Sequence, residues 1–450
     1  MTIDLYGGQH SSRSARAVQA FEQVVFNIAA HKPNAPEALA STLAADEGFV
    51  AAHAIKGFAG VLLGRAEPLG RARTALAQAE LHLGLRGGTG SERVLVQSLR
   101  LALEGEWRAA ADGLDGWLEH HPQDFLAFKL AHGLRFMTGD GRAMLASTQK
   151  ILPHWRAQTA GYGYLLGCHA FALEEAGHYI EAERFGRAAV ELEPNDSWGL
   201  HAVSHVFEMN GRVKEGVRWL EQCQPVWSQC NNFAFHMAWH LALFHVELGE
   251  HTRALQIYDR DVRAMITDDF RDIANAVSLL WRMRQEKVEV GTRWDELREI
   301  AQRRLNDRSY VFASLHHLLT LVAVGDFTHA EALCGELAGL AQSTGDQARV
   351  ARDVGLELAQ QILVLAQGQQ TRVDLGSLAL RLPQIGGSNA QRDVFVRALT
   401  LLAAERGRSE TVSALFTVRR RLKRDDHFTL IALEQLSALR PTSGPHKHVA

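Results

Sequence analysis

Cysteine, proline and charge of one sign are what this chain has least of, and each shortage closes off a class of protein. Four cysteines in 450 residues, Cys168, Cys223, Cys230 and Cys334, are too few and too scattered for a disulfide framework. Ten prolines leave little room for rigid linkers. Lys plus Arg number 48 against 51 for Asp plus Glu, a formal net charge of −3, so no global field favours nucleic acid or an anionic membrane. No apolar run reaches the roughly 20 residues that a membrane-spanning helix needs. The first residues, MTIDLYGGQHSSRSAR, lack the apolar core of a signal peptide. The chain therefore reads as cytoplasmic, with neither nucleic acid nor membrane as partner. A glycine-rich phosphate loop, a dinucleotide fingerprint, a nucleophile elbow and a paired zinc ribbon are missing too.

Glycine, by contrast, is plentiful at 38 residues, and its placement is regular. Apolar, helix-like runs end in a glycine turn at Gly64, Gly105, Gly139, Gly177, Gly211, Gly249, Gly291, Gly325, Gly368 and Gly407, spaced 34 to 43 residues apart. That period belongs to stacked helical hairpins, each able to bury its apolar face only against its neighbours. The clearest unit is 161–196, GYGYLLGCHAFALEEAGHYIEAERFGRAAVELEPND. Its first helix sets Tyr164, Leu165, Cys168, Ala172 and Leu173 on one face, and its second carries Ala182, Phe185, Ala189 and Leu192. Pro194 ends it. Glycine, aromatic, Ala, Phe and Pro at those offsets form the tetratricopeptide pattern. The spacing predicts an all-α fold: a right-handed α-solenoid of about ten tetratricopeptide-like hairpins over residues 17–440, with no strands. Residues 1–16 read as a flexible segment, 441–450 as a disordered tail, and 376–392 as a longer loop between the last two hairpins.

Histidine is the one residue in excess, with 22 in all. His53, His132, His169, His201, His205, His236, His240 and His316 each precede a turn glycine by 6 to 13 residues. They therefore belong to the first helices of successive hairpins, at similar heights on the concave wall. His201 and His205 (HAVSH) are four apart, as are His236 and His240 (HMAWH), so each pair shares a helix face. Three readings compete. The rings are wall residues bonded to backbone carbonyls, or they line a site for a small molecule or peptide end. In the third reading His201, His205, His236 and His240 hold a metal, since this spacing suits zinc or a related ion. Neither pair has the glutamate of HExxH.

Other polar groups carry weaker signals. Glu174, Glu208 and Glu247, close to their turns, read as helix-end solvation, and RRRLKR at 419–424 reads as a solvated helix face. Trp198 and Trp239 flank the histidine pairs as packing or stacking groups. Cys168 and His169, adjacent on a helix, diverge by about 100° and cannot form a catalytic pair with each other. Gly386-Gly387-Ser388 offers an anion-binding nest at the start of a helix near Asn389.

Two segments go beyond generic repeat character. Residues 164–261 contain YLLGCHAFALEEAGHYIEAE, DSWGLHAVSHVFEMNGRVKEGVRWL and HMAWHLALFHVELGEHTRALQIYDRDV, and residues 385–395 read IGGSNAQRDVF. Together they resemble the tetratricopeptide repeat protein 38 family. Weaker likeness (ADEGFVAAHAIKGFAGVLLG, Arg293-Trp294 and FASLH at 312–316) extends over nearly the whole chain. The resemblance implies an all-helical repeat fold and no settled biochemical activity. It carries over His201, His205, Glu208, Arg212, Trp239, His240 and His316, with Gly387, Ser388, Gln391, Arg392 and Asp393 from the late block. HMAWH departs from the family's Asn-Trp-Trp-His type of run, so His236 lies in the block without a role carried over from the family.

Burying such residues costs several kcal/mol unless they pair or bind something. We therefore expect His201, His205, His240 and His316 to face Arg392 and Asp393 across an enclosed pocket. In the leading reading the pocket binds a small molecule or peptide end. Arg392 fixes an anion there, with His201, Glu208, Trp239, His316, Ser388 and Gln391 around it. The alternative is an enzyme with His205 or His240 as general base, aided by Asp393 or Glu208, with or without a divalent metal as its only cofactor. The third is a scaffold that clamps a protein partner in its groove. A homodimer stays open.

Overall fold

The computed structural model describes residues 1–424 and 426–438; the tail expected at 441–450 lies outside them. The chain is almost entirely helical, as the glycine period predicts. Seven inner helices position everything that follows. They are α1 (Phe125–Met137), α2 (Tyr162–Glu175), α3 (Ser197–Met209), α4 (Phe233–Glu247), α5 (Phe270–Gln285), α6 (Val311–Ala323) and α7 (Asn389–Ala404).

All ten expected turn glycines adopt positive φ. At Gly177, φ is 83°, the His178 N–H donates to Leu173 O at 2.9 Å, and the carbonyls of the last α2 turn are satisfied while the chain reverses. The seventh hairpin solves the problem differently. Lys287 (φ 56°) takes the left-handed position after α5, with the Val288 N–H donating to Met283 O at 3.0 Å, and Gly291 follows in the loop. That is why the glycine signal there is weak.

Outer and inner helices differ in burial. The outer helix Val213–Gln222 buries only Gly216 and Leu220, as an amphipathic surface helix does, whereas α3 and α7 are buried along their whole lengths. The cause is that the array comes round on itself. Asn231 N–H donates to His31 O (2.7 Å), Asp346 N–H to Gly105 O (3.0 Å), Tyr310 O–H to Met137 O (3.1 Å) and Arg424 N–H to Met209 O (3.1 Å). Each contact joins segments about 170 to 240 residues apart, so a second coil lies on the first and encloses the inner helices. Gly139 permits one such contact: a Cβ there would sit 1.7 Å from Pro383 O.

Two expectations need correction. Residues 1–16 are not a loose segment. Thr2–Ile3 and Gln9–His10 pair as a short antiparallel hairpin, and the Asp4 carboxylate accepts from His10 Nε2 (2.8 Å) and from the Tyr6 and Gly8 N–H groups (2.9 Å each). Buried Asp4 and His10 would each be costly alone, and together they satisfy one another. Residues 376–392 are not a long loop either, because helix continues through Leu375–Arg381 and a 3₁₀ turn at Leu382–Ile385. Among the described residues no helix is long and apolar enough to cross a membrane.

Candidate metal centre

Helices α3 and α4 cross so that their histidine pairs meet. His201 and His205 project from consecutive turns of α3, His236 and His240 from consecutive turns of α4, and one ring nitrogen from each lies within 4.8 Å of the other three. His201 Nε2 is 2.8 Å from His205 Nε2 and 2.9 Å from His236 Nε2, and His240 Nε2 has no hydrogen-bond partner. All four rings are buried.

The opposite ring edges decide the tautomers. His205 Nδ1 lies 3.2 Å from Glu174 Oε2, His240 Nδ1 lies 3.1 Å from Glu208 Oε2, and His236 Nδ1 lies 2.8 Å from Asn275 Oδ1. With neutral rings and ionised carboxylates those oxygens accept, so each Nδ1 carries the proton and each of the three Nε2 atoms presents a lone pair. His201 can donate from Nε2 to only one of its two close neighbours. With neutral rings, lone pair therefore faces lone pair inside a buried site. A cation at the centre resolves the conflict. Nitrogens about 2.05 Å from a tetrahedral ion are about 3.3 Å apart, a spacing bracketed by the contacts seen here. A ring with Nε2 turned inward and Nδ1 held by an outer carboxylate or amide is the usual build of a metal-ligating histidine.

Electrostatics agree with the geometry. Burial holds His201 and His236 well below the ordinary imidazole range and His240 at about 4, so all three stay neutral ligands at pH 7. His205 differs: burial lowers it, but the Glu174 carboxylate outweighs this and leaves it raised. Burial in turn pushes Glu174 up to about 7. This pair shares a proton that a metal would have to displace.

The remaining predicted residues go elsewhere. The His316 Nδ1–H donates to Phe312 O (2.8 Å), and the ring packs between Phe312 and Phe395, apart from the quartet. Trp239 stacks on His236 with ring centres 5.0 Å apart and so braces a ligand. Ser388 and Gln391 close the N-terminus of α7 as a reciprocal cap. Arg392 donates to the carbonyls of Gly386 and Gly387, to Asn389 Oδ1 and to Glu175 Oε2 (2.9 Å), and the Asn389 N–H donates to Glu175 Oε1 (2.7 Å). The nest at Gly386–Ser388 thus already has an anion, the chain's own Glu175. Asp393 accepts from Arg397 (2.9 Å) and Arg419 (2.7 and 3.0 Å). Although burial opposes it, those cations hold Asp393 well below the usual carboxylate range, which makes it a poor proton acceptor. Burial pushes the Cys168 thiol up to about 11, unsuited to a nucleophile.

Sequence reasoning missed several groups. Glu174, read as a solvated helix end, is a buried support of the quartet, as is Glu208, which was expected at the pocket. The 419–424 run is not a solvated face: Arg419 and Lys423 are buried, and Lys423 Nζ donates to Glu208 Oε1 at 3.0 Å. Asn275 was overlooked, although an amide inside the apolar run DIANAV was the available signal. Cavities of about 760, 500 and 180 Å³ open near Asp272, Phe136 and Lys423 respectively, and none of the three is lined by the quartet. Comparison of the chain with known protein families finds no match.

Proposed function

We propose that this protein binds one divalent transition-metal ion through His201, His205, His236 and His240, with Glu174, Glu208 and Asn275 as outer supports. The observation that carries the reading is the inward set of Nε2 lone pairs, three of them fixed by an acceptor on the far nitrogen. Four imidazoles select ions such as zinc, iron, cobalt, nickel or copper over magnesium and calcium, which require oxygen ligands. A nearly closed set of four nitrogens supports a structural or electron-transferring centre over a hydrolytic one, which keeps a water position open. Membership of the tetratricopeptide repeat protein 38 family belongs to the same proposal, because HAVSH and HMAWH are both motif blocks and ligand blocks.

Elemental analysis tests it. Protein expressed with each of these metals in turn should carry about one equivalent of at least one of them. The His205→Ala/His240→Ala double variant should carry less than about a tenth, while His316→Ala keeps the full amount. Wild-type protein below about a tenth of an equivalent under every supplement would overturn the proposal.

A further inference from the structure

Beside the quartet, on the His201 side, the structure leaves an unusual concentration of unpaired polar atoms. His31 Nε2, both ring nitrogens of His132, Trp198 Nε1 and His201 Nδ1 are buried and have no hydrogen-bond partner. The ring centres of His31, His132 and His201 lie 5.5, 6.1 and 5.0 Å from that of Trp198, so all five atoms belong to one neighbourhood. Folded proteins leave few buried polar groups unsatisfied, and a cluster of them calls for an occupant. His132 is only 4% exposed, and an imidazole with neither nitrogen satisfied gains nothing from that position by packing alone.

A cation points at the same place. Lys129 Nζ sits 5.2 Å above the Trp198 ring, and among the described residues its only hydrogen-bond partner is Cys168 Sγ at 3.6 Å. That thiol is neutral, and among the described residues no carboxylate lies within ion-pair distance of Lys129. Asp196, the acid that feels its charge, gives one oxygen to the Trp198 N–H and turns the other against the backbones of Gly167 and Gly199. The ammonium therefore has no anion of its own.

Room exists next to it. Lys129, Gly133 and Phe136 form a half-exposed stripe on α1, and a methyl group built on Gly133 would meet nothing within 4 Å. Phe136 joins this stripe to the 500 Å³ cavity, and its ring stands edge-on 6.0 Å from Trp198. On the other side, His31 takes the left-handed position (φ 54°) that ends helix Ala15–Ala29, with the Lys32 N–H donating to Asn27 O at 2.9 Å. Its ring is stacked between Trp198 and Phe233 (4.5 Å).

We infer that this site, open at the Lys129–Phe136 stripe, binds a small aromatic monocarboxylate, its carboxylate on Lys129 and its ring against Trp198 and Phe136. Aromatic walls suit a flat apolar body, while the ammonium, the indole N–H and the imidazole N–H groups suit an anion. Burial keeps His31 and His132 well below the usual imidazole range, so the charge that faces the indole ring is that of Lys129, and a monoanion matches that single ammonium. The site goes beyond the metal reading and does not depend on it.

Calorimetric titration of the full-length protein, as purified and after chelator treatment, tests the inference with benzoate, indole-3-carboxylate, the neutral isostere benzamide and the dianion phthalate. At least one of the two monocarboxylates should bind about tenfold tighter than benzamide and phthalate, in both preparations. The preference should fall to within about twofold in Lys129→Met and survive in Lys129→Arg, with circular dichroism confirming that both variants fold. No heat from either monocarboxylate up to about 10 mM, equal binding of acid and amide, or an intact preference in folded Lys129→Met would each overturn it. Failure of the metal proposal would leave these titrations unchanged, so the two outcomes are separable.

Discussion

The histidine quartet and the ion cluster around Asp393 are buried side by side, share the Glu208 carboxylate as a link, and differ in whether their charges close. In the ion cluster each acid meets cations. Asp393 accepts from Arg397 and Arg419, Asp426 from Arg419 (2.5 and 2.9 Å) and Arg397 (2.9 Å), and Glu247 from Arg397 (2.9 Å). Lys423 then ties the set to Glu208. The second coil supplies Arg419 from helix Ser409–Arg419 and Lys423 and Asp426 from the segment before helix His427–Ala438, and the first coil supplies Glu208. The cluster therefore reads as a fastener between coils. The quartet has the opposite character: its outer edges are satisfied and its centre is not. Two clusters of equal burial thus separate into one complete within the protein and one completed by an ion.

The sharpest way to break the comparison is to remove one member of each. Asp393→Ala removes the acid that Arg397 and Arg419 share, leaving Asp426 and Glu247 to face two buried cations, and should cost up to about 3–5 kcal/mol in denaturant unfolding. Its metal content per folded molecule should be unchanged. His205→Ala should do the reverse, lowering metal affinity by more than the roughly 10–100-fold that loss of an outer support costs. Competition with a chromophoric chelator measures it. Glu208→Gln touches both clusters and should fall within that 10–100-fold range for metal, with a stability loss smaller than that of Asp393→Ala.

Acidity sharpens the contrast further. The Glu174–His205 pair holds a proton more tightly than the separate groups would, with Glu174 raised to about 7, and the metal must expel that proton. Affinity should therefore rise with pH, by up to about tenfold per unit below 7, and level off above it. Chelator competition at pH 6, 7 and 8 checks the slope, and a flat profile would mean that the pair is not part of the centre. The metal-free fold carries its own dependence. Buried His201, His236 and His316 have folded values below the unfolded 6.5. Their contribution is present above pH 6.5 and is lost as pH falls toward the folded values, so thermal midpoints should drop on acidification. The smallest expected effect lies outside both clusters. Ser388→Ala removes the cap of α7 and should cost about 1 kcal/mol with metal binding intact.

Much of this was legible in the sequence because it depends on short spacing. The glycine period placed the turns, and four-residue separations placed His201 with His205 and His236 with His240. What escaped depends on which coil lies on which. Lys423 reaches Glu208 across 215 residues, and Arg392 reaches Glu175 across 217. No periodicity in one hairpin announces a partner six hairpins away. For the same reason a basic run looked solvated, and a glycine nest looked vacant when a carboxylate of the first coil fills it. His316 misled in another way, because equal height on the wall does not bring a ring into the same contact.

Cobalt(II) titration of the metal-stripped full-length protein tests the central claim most directly, since the visible bands of cobalt report its ligands. The account predicts new absorption that saturates at about one equivalent, vanishes in His205→Ala and persists in His316→Ala. A spectrum that stays that of the aqueous ion, with the protein folded, would contradict it.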